Sequence, residues 1–287
     1  MKIFERLRHI CKKPPTAPEP EQPDTRVDPR HCGLTDAVQS GWFLNDSNEL
    51  FKGFAIGPQD SVLDFGTGAG AATLFSASRG AEVVFIDAVA EKVNSLRQRV
   101  AQTPARNARG FVCNNLEIPV EDNRMTRIVA MEVLEHVPEP EKLLQELVRV
   151  GQPGALYLLT VPDPVAEKIQ QDFAPAYYFE APNHIHIFER EAFSKLVQDA
   201  GLNILHTDSS GFYWSFWMML YWTQAQHFGT TAHGESHDVV QPPYNSLLHD
   251  WAKLWKDIID MPESAPMKRA LDNLLPKSQI IIAQKPF

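Results

Sequence analysis

Three glycines, Gly66, Gly68 and Gly70, alternate through Val62-Leu63-Asp64-Phe65-Gly66-Thr67-Gly68-Ala69-Gly70, between an apolar run and a helical segment. Glycine there lets the backbone turn sharply and approach a ligand closely. The N–H groups at the helix start are then available to an anionic group. The spacing Gly66-x-Gly68-x-x-Ala71 also fits a dinucleotide fingerprint. Asp64 separates the two readings. A pyrophosphate at the turn gains nothing from an acid two residues before Gly66, whereas a ligand with an ammonium beside its carboxylate does. Asp87 ends the next apolar run, where its two oxygens can accept both hydroxyls of a ribose. Proton-transfer groups follow. His136 stands beside Glu135 after a further apolar run, and His184 and His186 alternate in Pro182-Asn183-His184-Ile185-His186. In an extended strand that alternation places both on one side. His227, His233 and His237 lie among Gly, Thr and Ser in a stretch that reads as loop. The four-residue spacing of His233 and His237 then gives no shared helical face, and no metal site is expected.

The elements that must position these groups begin at Ser61. From there short apolar runs alternate with amphipathic segments, the pattern of βα units on a mostly parallel sheet. Strands are expected over 61–65, 82–87, 110–114, 127–131, 155–162, 202–208 and 278–286. Helices are expected after the glycine turn and over 90–100, 139–150 and 189–200, the last closed by Gly201. Ahead of the first strand, 35–56 reads as one or two short helices with a turn around 45–47. Between strands six and seven lies an insertion, 211–276, opening with the aromatic run GFYWSFWMMLYW. It is expected to form a core helix or a helical cap on the sheet. An apolar substrate wall and a membrane-contacting patch are the sharper readings.

Three segments make up the chain: a basic amphipathic tail (1–13), a linker (14–30) and one domain (31–287). The linker holds six prolines and almost nothing to bury. In the tail, Ile3, Phe4, Leu7 and Ile10 share a helical face, and five cations against Glu5 give +4. That is either a solvated tail or a weak foot on the inner face of an anionic membrane. With a net charge of −9 for the chain, the remainder carries −13, which argues against a nucleic-acid partner. Cys11, Cys32 and Cys113 form no CxxC pair, so a reducing, cytoplasmic setting is expected. No stretch reaches the roughly 18–20 apolar residues of a membrane span.

VLDFGTGAG, then VVFID, then RIVAMEVLEHVPEPEKLLQELVRVGQPGALYLLTVPDP resembles a class I S-adenosylmethionine-dependent methyltransferase. The group with quinone-biosynthesis and sugar O-methyltransferases is the most similar. The resemblance covers about 35–210 and the last strand, and Met131-Glu132-Val133-Leu134-Glu135-His136-Val137 is its most specific part. It implies a doubly wound, Rossmann-like α/β fold with seven strands, the last reversed. It also implies that Gly66, Gly68 and Gly70 wrap the methionine moiety of S-adenosylmethionine. Asp87 would then hold the ribose, Asn114 the adenine, and Met131 would line the methionine side. Two positions depart from the family. Thr67 replaces the usual cysteine of the turn, and Asn114 replaces the usual acid, although an Asn carbonyl can accept the same hydrogen bond.

Methyl transfer displaces a sulfonium leaving group, so positioning and water exclusion carry most of the rate. Transfer to a hydroxyl gains from a nearby base, and His136, His184 and His186 are the candidates. The expected function is O-methylation of a sugar in a surface polysaccharide or related glycan. The alternative acceptor is a prenylated quinone precursor or another small aromatic molecule. Two other classes compete: an NAD(P)-binding oxidoreductase, disfavoured by Asp64, and a cofactor-binding protein without catalysis. Oligomeric state and the methylated atom are not readable from the chain.

Overall fold

The computed structural model describes residues 27–113, 116–229 and 240–287. The amphipathic tail, most of the linker, Asn114, His233 and His237 therefore lie outside the described residues.

A seven-stranded sheet forms the centre: β4 (Ser61–Phe65), β5 (Glu82–Asp87), β6 (Asn107–Val112), β7 (Met125–Met131), β8 (Gly151–Pro162), β9 (Asn203–Ser210) and β10 (Ser278–Gln284); β1 (Trp42–Leu44), β2 (Glu49–Phe51) and β3 (Phe54–Ala55) form a separate small sheet. Its order is β6-β5-β4-β7-β8-β10-β9. The first five strands run parallel, and β10 is antiparallel to both β8 and β9. This is the doubly wound arrangement with a reversed last strand. Chain order turns back between β4 and β7, so a crevice opens at their carboxyl ends, where such sheets bind ligands.

β4 and β5 are buried along their whole length, as continuous Val/Ile/Leu runs covered on both faces should be. Alternation then sorts the side chains. Leu63, Phe65, Val84, Ile86, Ile128 and Ala130 face α4 (Pro140–Val150) and α6 (Arg190–Asp199). Val62, Val83, Phe85 and Val129 face α2 (Ala71–Ser78) and α3 (Ala90–Val100) on the other side. In α4, Leu143, Leu144 and Leu147 are fully buried, each worth about 2 kcal/mol by transfer.

Within 35–56 the helical expectation holds for 35–39, which close the first helix, and fails for 42–55. α1 (Pro29–Gln39) starts within the expected linker, with Pro29 in its first turn and the Asp28 carboxylate capping Arg30 N–H at 2.9 Å. It ends at Ser40, and Gly41 turns the chain at φ 99°. A small meander follows: β1 (Trp42–Leu44), β2 (Glu49–Phe51) and β3 (Phe54–Ala55). Trp42 packs against Phe51 with the rings tilted by 53° and centroids 4.7 Å apart, and Phe51 and Phe54 are fully buried. Burial of these aromatics against the main sheet outweighs any helical preference of so short a segment. The turn around 45–47 lies between β1 and β2.

The insertion is helical: α7 (Phe212–Phe228), α8 (Ser246–Ile259) and α9 (Ala265–Leu274). With α1 it forms a cap whose core includes Tyr213, Trp217, Trp222, Trp251 and Trp255. Trp255 donates its indole N–H to Asp36 at 2.8 Å. Asp272 of α9 accepts from the Gly211 and Phe212 N–H groups at 3.1 and 3.0 Å, capping α7 from outside. Among the described residues no helix is long and apolar enough to cross a membrane.

Candidate active site

At the carboxyl ends of β4, β5 and β7 lies a cavity of about 840 Å³. Gly66, Gly68, Asp87, Glu132, Val133 and His136 line it, with Val89, Lys92, Pro182 and Asn183 around them. Gly66 has φ 75°, and a Cβ there would sit 2.4 Å from Val133 Cγ2. Gly68 has φ 51°, and a Cβ would meet nothing within 4 Å, so its backbone is bare toward the cleft. Both are glycine positions for physical reasons: backbone conformation at each, and close packing at the first.

Asp87 is held in place by the turn it faces. One carboxylate oxygen accepts the Gly68 N–H and the other the Val89 N–H, each at 2.9 Å. It is 9% exposed and still lines the cavity. A carboxylate has about four acceptor sites, so two remain for a diol.

Asp64 lies elsewhere than expected. It is 3% exposed, does not line the cavity, and accepts the Thr73 hydroxyl at 2.5 Å. Strand parity explains this: Phe65 reaches the cleft while Asp64 points to the opposite face, toward α2. Asp64 therefore fastens the helix that follows the turn. Burial raises its carboxyl to about 6, against hydrogen bonds from Thr73 that pull it down. Its folded value thus lies above the unfolded one, so the native state binds more protons between pH 4 and 6. The stability it contributes is complete below pH 4 and is lost as pH rises through 6. Replacing it by Asn should flatten that loss by up to about 3 kcal/mol, at 1.36 kcal/mol per unit. Urea unfolding of Asp64→Asn and wild type at pH 4 and pH 7 measures the difference; parallel pH curves would refute the assignment.

Met131 ends β7 but lines a second, smaller cavity of about 200 Å³ beside the main one. Trp42, Phe43, Thr160, Trp214 and Lys277 share its wall. Glu132 borders both cavities. Its backbone is left-handed at φ 55°, a strained conformation of the kind that collects at functional sites. Thr160 donates its hydroxyl to Glu132 at 3.0 Å and Lys277 its ammonium at 2.7 Å. Burial would raise the Glu132 carboxyl, but the Lys277 ammonium outweighs it and holds the group below its ordinary value. Glu132 and Lys277 are the site residues that the sequence reading missed.

Of the three candidate bases only His136 lines the cleft. It ends the short turn Leu134–His136 after β7 and donates Nδ1–H to the Pro182 carbonyl at 3.0 Å. That tautomer leaves Nε2 as an acceptor, 3.6 Å from Glu135 Oε1. Burial, with the His184 ring alongside, lowers the His136 imidazole below its ordinary value, so it is neutral near pH 7. His184 lies beneath it, 7% exposed, with the rings edge to face at 4.9 Å. Its Nδ1 meets Glu167 of α5 (Pro164–Gln170) at 2.5 Å. His186 is elsewhere. Its Nε2 is bonded to the Val137 carbonyl at 3.0 Å and it does not reach the cavity. Residues 182–188 do not form a strand, because the Ile185 and His186 N–H groups both bond the Glu135 carbonyl, at 2.9 and 3.2 Å. Without a strand, the two histidines do not share a face.

Glu135 is fully buried, and burial together with the nearby Glu132 charge raises its carboxyl well above the ordinary range.

Comparison with known proteins agrees with this geometry. A family model described as a methyltransferase domain matches residues 29–207, more than half of the chain. Tocopherol O-methyltransferase of Arabidopsis thaliana is 35% identical over 102 residues, covering 34% of this chain and 29% of that protein. Methyltransferase GfsG of Streptomyces halstedii is 25% identical over 199 residues, covering 62% and 70%. A ubiquinone biosynthesis O-methyltransferase of Coxiella burnetii is 31% identical over 102 residues, covering 35% and 43%. The chain thus spans less than half of the tocopherol and ubiquinone proteins that it matches. In fold it is similar to a putative methyltransferase of Bacillus halodurans, with a TM-score of 0.51 at 15% identity over 81% of this chain and 95% of that one. It is equally similar to the [4+2]-cyclase SpnF, with a TM-score of 0.51 at 18% identity over 99% and 92%. The glycine turn against Asp87, the strand order and the family match converge: the chain belongs to the class I S-adenosylmethionine-dependent methyltransferases.

Proposed function

We propose that the protein transfers the methyl group of S-adenosylmethionine to a hydroxyl oxygen of a small acceptor held beside Glu132 and His136. The observation that carries this is the neutral His136 on the cleft wall, its Nε2 left as a proton acceptor by the Nδ1–H bond to Pro182. The sulfonium needs no activation. The acceptor hydroxyl does, because its oxygen attacks well only as its proton leaves.

The acceptor is assigned to the smaller cavity, whose aromatic wall of Trp42, Phe43 and Trp214 suits a phenolic ring. The names of the tocopherol and ubiquinone enzymes support that order of preference. A sugar hydroxyl, as in a surface glycan, is the second acceptor class. Its C–H face can stack on the same rings, and Thr160, Ser210 and Lys277 offer polar contacts. Methyl-labelled cofactor with a catechol and with a free hexose separates them. The catechol should be methylated at least tenfold faster; the reverse ranking would establish the glycan reading, and methylation of neither acceptor overturns the assignment of the smaller cavity.

We place the protein in the cytoplasm, where the cofactor is made available, with residues 1–13 as a reversible foot on the membrane face. The protein should pellet with anionic liposomes at low salt and release at high salt. Deleting residues 1–30 should abolish pelleting and leave cofactor binding intact. Equal pelleting of the truncated protein would move the contact to the aromatic cap.

A further inference from the structure

Behind the cleft wall, three side chains with ligand atoms converge on one another. Glu135 is fully buried, and among the described residues neither of its carboxylate oxygens has a hydrogen-bond donor. Buried carboxylates are as a rule hydrogen-bonded, paired or bound to a metal. One donor atom each from Glu135, His136 and His184 lies within 4.8 Å of the other two. The distance from His136 Nε2 to Glu135 Oε1, 3.6 Å, is close to the edge of a tetrahedron around an ion. That edge is about 3.4 Å when the ion sits at about 2.1 Å from each ligand.

The tautomers point the same way. His136 gives its Nδ1–H to the Pro182 carbonyl, and His184 gives its own to the Glu167 carboxylate. A metal-ligating histidine is oriented by an outer carbonyl or carboxylate on its far nitrogen in this way, leaving the other lone pair for the ion. Glu167 is itself 2% exposed, and its second oxygen has no partner among the described residues.

We infer that Glu135, His136 and His184 form a binding site for a divalent first-row transition ion, with Glu167 and the Pro182 carbonyl orienting the two imidazoles. Two imidazoles and one carboxylate suit Zn²⁺ or a similar ion with one position left open. They do not suit Mg²⁺ or Ca²⁺, which favour oxygen ligands. His136 lines the main cavity and Glu132 joins that cavity to the smaller one, so we assign the open position to the cleft side, within reach of an acceptor hydroxyl that extends past Glu132 from the smaller cavity.

The role of the ion rests on the methyltransferase reading, although its binding does not. An acceptor hydroxyl on the ion becomes more acidic. Its O–H bond breaks and the proton passes to cleft water. The oxygen lone pair then forms the new O–C bond as the S–C bond breaks, and the sulfur keeps that electron pair. In this form the ion activates the acceptor and His136 serves as its ligand. No metal was expected from the sequence because the spacing of His233 and His237 was the only pattern in view, and these ligands come from distant segments.

The test is a Co²⁺ titration of tag-free, chelator-stripped protein, read by visible ligand-field absorption. One Co²⁺ per chain should bind and be displaced by Zn²⁺. His184→Ala and Glu135→Gln should weaken binding at least 100-fold. Glu167→Gln should weaken it by about 10–100-fold, the usual effect of losing an orienting partner. A His233→Ala/His237→Ala double variant should bind as wild type does. Absence of the band in wild type, its survival in His184→Ala, or its loss in the double variant overturns the site. Wild type and the double variant decide the matter even where a buried substitution prevents folding. Calorimetry with S-adenosylmethionine on the same preparation keeps the readings apart: cofactor binding without Co²⁺ binding ends only the metal site.

Discussion

Replacing His136 by Ala should lower turnover by about 10²–10⁴-fold, the usual contribution of a positioned proton-transfer group. The affinity for S-adenosylmethionine should stay within a few-fold of wild type. The large effect follows from its position, since His136 is the histidine of the three that reaches the cleft. Its tautomer is fixed by Pro182, and its ring is kept neutral by burial. The same loss is expected whether Nε2 accepts the proton itself or ligates an ion that makes the hydroxyl acidic. His186→Ala should keep at least a third of wild-type turnover, because that ring is tied to the Val137 carbonyl away from the cavity. Initial rates with chemistry shown to be rate-limiting measure both. A His136→Ala enzyme with more than a third of wild-type turnover would leave proximity and desolvation to carry the transfer alone.

Asp87→Ala should weaken S-adenosylmethionine by about 10–150-fold. That corresponds to about 1.5–3 kcal/mol, the scale of hydrogen bonds to a charged group. Two losses combine. The ribose hydroxyls lose their acceptor, and the Gly68 and Val89 N–H groups lose the carboxylate that orders the turn and the loop after β5. Asp87→Asn keeps one acceptor oxygen and should fall between the two. Calorimetry reads all three proteins, and unchanged affinity in Asp87→Ala would remove the residue from the site.

The sheet was legible because its central strands are buried on both faces, so β4 and β5 are mostly apolar, interrupted only by Ser61, Asp64 and Glu82, and are closed by the glycine turn and by Asp87. The meander over 42–55 was not. Strands of two or three residues carry too little alternation to be distinguished from helical turns, and tertiary burial of Phe51 and Phe54 decides their shape. Asp64 was given the wrong task because its chemistry suited an ammonium while strand parity turns it to α2. The alternation of His184 and His186 implied a shared face only if the segment were a strand. The Glu135 carbonyl takes both of the N–H groups that a ladder would need. Glu132 and Lys277 form a pair across 145 positions, a contact that only the folded sheet creates. A fold shared with a [4+2]-cyclase also shows why chemistry must be argued from the cleft and not from topology.

The central claim is that the cleft at the ends of β4, β5 and β7 binds S-adenosylmethionine. Calorimetry of the wild-type protein with S-adenosylmethionine and, separately, with NAD tests it most directly. One site of micromolar affinity for S-adenosylmethionine and no measurable heat with NAD are expected. Comparable binding of NAD, or no binding of S-adenosylmethionine, would contradict that claim.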